Sequence, residues 1–522
     1  MLKINRRKVG SIRKGLINFS GNVIKIVFGS ILFILAISSI VYTCDLRNTE
    51  TALEVTFYNY DNILKYLILI IIIIGFGAFW GRKRYKRREI KVVNCFEDDK
   101  IIKYLILIHG IMGIVWIVST QLQPRADQWF CSAIGGNLLT ETYNKADLLK
   151  GGYLYQYPFQ SGLVIVFESI YKLTGINNYL AFQMLNVCAI MIIDIFIIKI
   201  LKKMFARKVE KIGLLFLILF CPIVFYSSYL YGNLIGCGFS IMAMYFEFCF
   251  FEKHSKINLV LGSISIGLAI IFKSNYLITL LAMLIFLILD WIIHLNKKNI
   301  VFFIFAVGCY IIATSGMISL INRQEDVKLG SGVPKVTWIA MGMQESDMAP
   351  GWYNAYNAST YLNNDCNSEA TSKEAEKYIV DRIKYFKQNP VYTVKFYVKK
   401  MISQWCEPTF GGIWINQFEK GITVSQYMDS ILNGGKLQKI IVWVLDIIQS
   451  AVYWLTFLYV IINRKNRNIY VWFPATVFIG GFLFHMIWEA KGQYTFTYFI
   501  LLIPYAAVSI KEIMKRMEKI SI

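Results

Sequence analysis

Long uninterrupted apolar runs constrain the fold of this chain more than any other feature. Two examples are ILKYLILIIIIIGFGAFWG at 63–81 and YLITLLAMLIFLILDWIIHL at 276–295. A helix of about 20 apolar residues crosses about 30 Å of hydrocarbon, whereas a helix in a soluble core is usually shorter and has a polar face. Hydrophobic residues make up 56% of the chain and gather in such runs. The sequence therefore predicts an all-α polytopic membrane protein.

The apolar runs predict about 12 spanning helices. Their approximate bounds are 23–44, 62–81, 102–121, 178–201, 212–231, 233–252, 257–272, 275–296, 299–322, 438–462, 469–488 and 493–510. The net charge of +22 gathers in short connectors such as 82–91 and 202–211, which argues against a nucleic-acid-binding protein. If the N-terminus lies inside, every basic connector is cytoplasmic and the C-terminus returns to the same side. We therefore expect a multi-pass protein of the cytoplasmic (plasma) membrane.

This topology leaves two long segments on the outer face, and both are rich in Trp, Tyr and Gly, unlike disordered linkers. The resulting division of the chain is 1–100 as an N-terminal two-helix addition, 101–322 as a membrane core with the first outer loop at 122–177, 323–437 as a large outer loop, and 438–522 as C-terminal membrane helices.

The outer segments are expected to be mainly helical. The stretch 159–174 (FQSGLVIVFESIYKLT) is apolar but too short and interrupted to span, so we expect an amphipathic helix in the outer interface. Segment 371–388 predicts a helix that begins with a capping box from Thr371 to Glu374, and Pro390 is expected to start another.

The ten cysteines include no CxxC pair, and most fall in apolar runs, where cysteine behaves as a small hydrophobe. Cys366 and Cys406 both lie in the large outer loop. A disulfide between them and two free thiols are both compatible with that placement.

The first outer loop opens with QPRADQWFCSAIGGN, in which Asp127 lies between Arg125 and Gln128, about one turn beyond the third predicted helix. A carboxylate there is close to the lipid headgroups and reachable by water, so it is placed to act as a general base toward an acceptor hydroxyl. A helix cap or a solvated loop acid fits the same residue.

Further along, YLYQYPFQSG at 153–162 offers Tyr157 and Gln160, whose phenol and amide suit recognition of a sugar or a headgroup. An interfacial aromatic belt is the alternative for this stretch. Lys273, in IFKSNYLI, is expected on the outer side, against the positive-inside bias. It either pairs with a lipid phosphate or snorkels to the interface.

Between the last two predicted spans, WEAKGQY carries Glu489, Lys491 and Tyr494. The two charged residues either pair with each other at the surface or line a polar cavity. His109 and His485 fall inside predicted spans, where a polar residue is costly and suggests function. Neither histidine has a second ligand at metal spacing, so no metal site is predicted.

Together, an acid just after a membrane helix, an interfacial helix and a long helical bundle resemble the GT-C superfamily of membrane glycosyltransferases. The most similar branch is the bacterial one related to protein O-mannosyltransferases and the lipid A aminoarabinose transferase (glycosyltransferase family 39-like). The segments that carry the resemblance are ADQ at 126–128, YPFQSGLVIVFESIYKLTG at 157–175, IFKSNYLI at 271–278, TWIAMGMQESDMAPGWYN at 337–354 and WEAKGQYTFTYFILLIPYAA at 488–507. It runs over residues 101–510 and leaves the first two helices outside.

The resemblance implies an inverting transfer of a sugar from a polyprenyl-phosphate donor to a glycan, glycolipid or protein acceptor of the cell envelope, at the outer face of the bilayer. Asp127 would be the catalytic base. Arg125, Lys273 and Lys491 would bind the donor phosphate. The residues expected to contact sugar or acceptor are Gln128, Tyr157, Gln160, Glu489 and Tyr494.

Many members of the superfamily carry two adjacent acids where this chain has Asp127 and Gln128. The lone acid puts a two-acid or metal-binding version of the mechanism in doubt. No cofactor is expected, and dependence on a divalent metal stays open.

Two other functions fit parts of the sequence. A polymerase or ligase of surface polysaccharide also has about a dozen spans and one large late outer loop, but it usually relies on arginines there, and 323–437 has only Arg323 and Arg382. A flippase or transporter of lipid-linked sugars would show internal repeats and short loops. ATP-driven transport has no support, because the chain carries no P-loop.

Overall fold

The computed structural model describes residues 10–50, 52–61, 99–140, 144–205, 209–417 and 425–520. The predicted span at 62–81 and the basic connector at 82–91 lie outside these residues. The described part is mostly helical, and its helices are arranged as a membrane bundle with shorter helices and one small sheet gathered at one end.

Eight helices in the described residues are long and apolar enough to cross a membrane. They are Arg13–Val41, Lys100–Thr120, Tyr179–Met204, Asn233–Lys253, Ser274–His294, Lys298–Glu325, Lys436–Ile462 and Ile469–Ile487. The number rises to ten if each of two bent helix pairs is one span. The multi-pass prediction is therefore confirmed, whereas a count of about 12 is not.

Three further predicted spans are not among these eight long helices. Glu210–Leu219 and Pro222–Ser228 meet at 54°, and Gly492–Ile500 and Ile503–Arg516 meet at 46°. A proline follows each break, Pro222 in the first pair and Pro504 in the second, and proline cannot donate the hydrogen bond that would continue a helix. The third, Lys256–Phe272, is a single helix of only 17 residues.

The prediction of an all-α chain is wrong at one place, a two-stranded antiparallel hairpin directly after the first helix. Its strands are Tyr42–Arg47 and Val55–Tyr60, with Tyr42 opposite Tyr60. The sequences YTCDLR and VTFYNY are rich in β-branched and aromatic residues, which favour strands. We refer to residues 42–60 as the N-terminal hairpin.

The N-terminal hairpin is bonded to the large loop at 323–437. The backbone N–H of Cys44 donates to the carbonyl oxygen of Cys406 at 2.8 Å, and that of Thr56 donates to Met348 at 2.8 Å. The helix before the hairpin joins the bundle, because Phe28 is fully buried and its ring lies 5.6 Å from that of Phe478. This part of the chain is thus packed into the rest of the protein.

The two outer segments contain the expected short helices. Besides the spanning helices, the described α-helices are Asp127–Asn137, Tyr153–Gln156, Ser161–Thr174, Val336–Met341, Tyr356–Asn363, Ser368–Gln388, Pro390–Trp405 and Gln426–Leu432. The amphipathic helix predicted at 159–174 is confirmed as Ser161–Thr174, and Pro390 starts a helix as expected.

The predicted capping box is wrong. The helix begins at Ser368, and its cap is Asn367, whose side chain accepts the backbone N–H groups of Glu369 and Ala370. Asparagine caps a helix as well as threonine does, so the capping signal is ambiguous over a few residues. Cys366 and Cys406 are free thiols.

At the other end of the bundle, Asp290 joins several helices. Its carboxylate accepts hydrogen bonds from Asn299 at 2.7 Å and from the hydroxyl of Tyr470 at 2.5 Å, and it lies 2.8 Å from Nε2 of His254. The basic connectors at 252–256 and 296–299 flank these residues. The predicted outer loops therefore gather at the opposite end from these basic connectors.

Candidate active site

Asp127 is the first residue of the helix Asp127–Asn137 and is exposed. The preceding residue, Ala126, has a φ of 48°, a left-handed value that costs an L-residue about 1–3 kcal/mol. This strained residue stands directly before the acid. The carboxylate also lies in the first turn of the helix, where the helix dipole stabilises a negative charge.

Tyr231 lies between Asp127 and Lys273. Its hydroxyl is 3.5 Å from Oδ2 of Asp127, and it accepts a hydrogen bond from Nε2 of Gln160. The amine nitrogen of Lys273 lies 3.9 Å from the centre of the Tyr231 ring and 5.2 Å from that of Tyr494. The predicted base and one predicted phosphate-binding cation therefore meet around a single tyrosine.

Two glycines allow these segments to meet. A Cβ atom on Gly232 would lie 1.9 Å from the carbonyl oxygen of Phe272, the residue before Lys273. A Cβ atom on Gly162 would lie 2.7 Å from the carbonyl oxygen of Ile271. Real Cβ atoms do not approach this closely, so only glycine lets both segments pack against the end of the helix Lys256–Phe272.

Lys273 has no acidic partner within ion-pair distance among the residues that the structure describes. Burial lowers the pKa of Lys273 to about 7, although the negative charges of Asp127 and Glu489 favour its protonated form. A cation held by aromatic rings and lacking a carboxylate partner is suited to binding an anion from outside the chain.

Lys491 pairs with an acid that the sequence analysis did not single out. Its amine lies 2.7 Å from Oε2 of Glu54 in the N-terminal hairpin. Among the described residues it forms no ion pair with Glu489. The same amine lies 5.4 Å from the centre of the Trp414 ring. The guanidinium of Arg125 lies 6.0 Å from that ring and donates to the carbonyl oxygen of Ile415 at 2.6 Å. Trp414 is therefore flanked by two of the three predicted phosphate-binding cations.

Glu489 is 5% exposed, and burial raises its pKa to about 7, although Lys491 opposes this rise. Its loop is fixed through the backbone, because the N–H of Ala490 donates to the carbonyl oxygen of Gly351 at 2.8 Å. Next to it, the buried amine of Lys400 donates to the carbonyl oxygens of Gly342 at 2.5 Å and Trp488 at 2.8 Å. This lysine ties the large loop to the segment that carries Glu489.

The predicted sugar-binding residues divide into two groups. Gln128 and Gln160 are buried, and their side-chain amides bond to other groups of the protein. Oε1 of Gln128 accepts the N–H of Leu230 at 3.0 Å, and Gln160 donates to the hydroxyl of Tyr231. Tyr157 and Tyr494 are only partly buried. The ring of Tyr157 lies 6.3 Å from that of Trp338, and the ring of Tyr494 stacks on His485 at 5.3 Å.

Sequence reasoning missed Glu54, Tyr231 and Lys400. Glu54 lies outside the segment that carries the family resemblance, and Lys400 looked like an ordinary basic residue of an interfacial helix. Tyr231 could have been found from the sequence, because a tyrosine directly before a glycine at the end of an apolar run indicates a turn at the membrane edge.

In the described part of the chain, no group of three or more His, Cys, Asp or Glu side chains is arranged to hold a metal ion. His109 lies 2.9 Å from Asp194 inside the bundle, away from the residues around Asp127. The expectation that no cofactor is needed stays a prediction.

No protein-family model matches this chain, and no curated protein matches it significantly. Two solved structures of the oligosaccharyltransferase of the archaeon Archaeoglobus fulgidus are similar. One, AglB in complex with an inhibitory peptide and a dolichol-phosphate, has 10% identity and a TM-score of 0.41 and covers 80% of this chain and 50% of that chain. The other, the apo form, has 11% identity and a TM-score of 0.42 and covers 80% and 51%.

This chain therefore spans about half the length of those structures. Both of these solved structures are oligosaccharyltransferases. With a TM-score below 0.5, the likeness says nothing about which residues of this chain act, or on what. The chain is a multi-pass membrane protein of mostly helical fold, and what it does is inferred below from its own residues.

Proposed function

We propose that this protein is an inverting membrane glycosyltransferase that moves a sugar from a polyprenyl-phosphate donor to a hydroxyl of a cell-envelope acceptor. The observation that carries the proposal is the meeting of Asp127 and Lys273 at Tyr231. It places an exposed carboxylate beside a partly buried cation that lacks an acidic partner among the described residues. A base and a site for a departing anion are the two groups that such a transfer needs.

In the proposed step, Asp127 takes the proton of the acceptor hydroxyl. The acceptor oxygen forms a bond to the anomeric carbon, from the face opposite the donor phosphate. The bond between that carbon and the phosphate oxygen breaks, and its electron pair leaves with the polyprenyl phosphate. The transition state resembles an oxocarbenium ion, by analogy with glycoside chemistry.

The leaving phosphate gains negative charge in this step, so fixed cations near it lower the barrier. Lys273 supplies one such cation, and Arg125 and Lys491 supply two more on either side of Trp414. The partly buried rings of Tyr157 and Tyr494 offer faces on which a sugar can stack.

The outer face is proposed as the side of the reaction because the residues of the candidate site follow predicted outer ends of helices. Asp127 comes after Asp99–Thr120, Lys273 after Lys256–Phe272, and Glu489 after Phe473–Ile487. The basic connectors lie at the other end of these helices and would face the cytoplasm, with both termini. On this basis the donor's lipid tail lies in the bilayer of the plasma membrane.

A polysaccharide polymerase or ligase is the second candidate. Its support is the size of the loop 323–437 and the way that loop packs over Glu489 through Lys400. A flippase has less support, since no inverted repeat is seen in the sequence.

The proposal is tested with purified Asp127→Asn protein, by measuring sugar transfer from labelled polyprenyl-phosphate sugars and the affinity for polyprenyl phosphate. We expect the transfer rate to fall by about 10²–10⁴, the usual loss for a general base. Affinity should be retained or rise, because the phosphate contacts lie elsewhere and the substitution removes a negative charge near Lys273.

Asp147→Asn is the matched control, because Asp147 lies in the same outer segment within the short helix Lys145–Leu148. It should transfer sugar normally. Near-normal transfer by Asp127→Asn would contradict the proposal and favour the polymerase, with the large loop as the active region.

A further inference from the structure

Glu54 lies at the tip of the N-terminal hairpin and is buried against the candidate active site. It is 2% exposed, and its carboxylate lies 2.7 Å from the amine of Lys491. Burial raises the pKa of the Glu54 carboxyl, while Lys491 and, more weakly, Arg125 favour its ionised form. The chain thus carries its own anion among the cations that are proposed to bind phosphate.

The hairpin tip holds Glu54 in this position at a cost. Glu54 has a φ of 58°, in the left-handed region that an L-residue rarely adopts. Asn48 fixes the loop, because its side-chain oxygen accepts the N–H of Glu54 at 3.1 Å and the indole N–H of Trp414 at 2.8 Å. A strained backbone that is fixed by specific contacts suggests that the placement of its side chain matters.

Lys491 faces charged groups on every side. Glu54 approaches from the hairpin, Glu489 from its own loop, and Asp127 from the helix that it begins, while Lys273 adds a second positive charge. Burial lowers the pKa of Lys491, but these three acids outweigh it and leave the pKa above its usual value. Lys491 therefore keeps its charge at neutral pH, and Glu54 is the only one of the three acids in ion-pair contact with it in the described residues.

We infer that Glu54 is an internal counter-anion that competes with polyprenyl phosphate for Lys491 and thereby limits how tightly the site holds that product. This inference rests on the proposed function. The donor is a phosphodiester with one negative charge, whereas the departing polyprenyl phosphate is a monoester with nearly two. A fixed negative charge beside Lys491 therefore repels the product more than the donor, which favours release after transfer.

The test is the affinity of purified Glu54→Gln for polyprenyl phosphate in detergent micelles at pH 7.0. Glutamine keeps the shape and a hydrogen-bond acceptor for Lys491 but removes the charge. We expect the variant to bind about fivefold to several hundredfold tighter, the range for a single charge and a nearly doubly charged phosphate roughly 8 Å apart at dielectric constants of 80 to 20. If release limits turnover, kcat and KM should both fall.

Tighter binding would distinguish a counter-anion from a residue that only supports the fold, because loss of a supporting residue distorts the site and lowers its affinity. Glu54→Asp keeps the charge and should bind as the unmodified protein does. Asp45→Asn removes an acid from the same hairpin, where Asp45 pairs with Arg47 at 2.5 Å, and should change nothing. If Glu54→Gln does not fold, Glu54→Gly removes the same charge, suits the positive φ of this position and should also tighten binding.

Unchanged or weaker binding by Glu54→Gln, with normal binding by the unmodified protein, would overturn this inference alone. Failure of the unmodified protein to bind polyprenyl phosphate would instead overturn the proposed function. Tighter binding by Glu54→Gln together with normal transfer by Asp127→Asn would keep the phosphate site and reject the catalytic base.

Discussion

The amine nitrogen of Lys273 lies 3.9 Å from the centre of the Tyr231 ring. The hydroxyl of that tyrosine is the group that approaches Asp127. One aromatic side chain therefore fixes the relative position of a cation and a carboxylate that the sequence separates widely. The predictions below concern the function of this arrangement and the packing that creates it.

Replacing Lys273 by methionine should weaken binding of polyprenyl phosphate about tenfold to a hundredfold. A charge-assisted hydrogen bond to phosphate contributes roughly 1.5–3 kcal/mol, and methionine removes it while keeping most of the volume. Binding is measured on purified protein in detergent. Lys199→Met is the control, because the Lys199 amine also lies near two rings, at 4.6 Å from Phe196 and 5.3 Å from Tyr245, away from the site. Unchanged affinity in Lys273→Met would make Lys273 an interfacial anchor only.

Binding of polyprenyl phosphate should weaken as the pH rises from 7.0 to 8.5. The pKa of Lys273 is lowered to about 7, so its positive charge is present below that pH and lost above it. Glu489, whose pKa is raised to about 7, gains a negative charge over the same range, which acts in the same direction. The loss is at most about tenfold per pH unit for each linked proton.

Lys273→Arg tests the cause of this pH dependence, because an arginine stays charged throughout the range. Its binding should depend less on pH than that of the unmodified protein, with only the contribution of Glu489 remaining. An affinity that is constant between pH 7.0 and 8.5 in the unmodified protein would contradict the prediction.

Gly232→Ala should destabilise the protein and reduce transfer strongly. Its new Cβ atom would lie 1.9 Å from the carbonyl oxygen of Phe272, so the backbone that carries Lys273 must move away from Tyr231. Overpacking of this kind typically costs about 1–3 kcal/mol. Gly308→Ala is the control, since no atom lies within 4 Å of a Cβ there. Thermal unfolding and transfer are both measured, and equal behaviour of the two variants would show that the close approach is unimportant.

The proposed orientation predicts which positions react with a membrane-impermeant thiol reagent in intact cells. Cysteines introduced at Asn144 and Lys373, exposed positions in the two outer segments, should be labelled, whereas one at Lys465, in a basic connector, should not. The unmodified chain gives the background from its native cysteines. Labelling at Lys465 without permeabilisation would reverse the topology and place the candidate site in the cytoplasm.

The helical architecture follows from the sequence, because a membrane span needs only a local property, a run of apolar residues of sufficient length. The spans around 102–121 and 178–201 are found within a few residues of their predicted bounds. The sequence also indicated Asp127, Lys273 and Lys491, since charged residues at the ends of apolar runs are conspicuous. The bends before Pro222 and Pro504 were not predicted, because hydrophobicity continues across both breaks.

Contacts between distant segments were decided only by the tertiary structure. Neither the hairpin tip nor the segment after Ile487 contains a local signal that Glu54 pairs with Lys491, because an ion pair depends on which loops the bundle brings together. The same is true of Lys400, whose bonds to two backbone carbonyls exist only after the large loop has packed. Length and hydrophobicity determined which segments enter the membrane, and close packing at Gly232 and Gly162 determined which side chains meet at its edge.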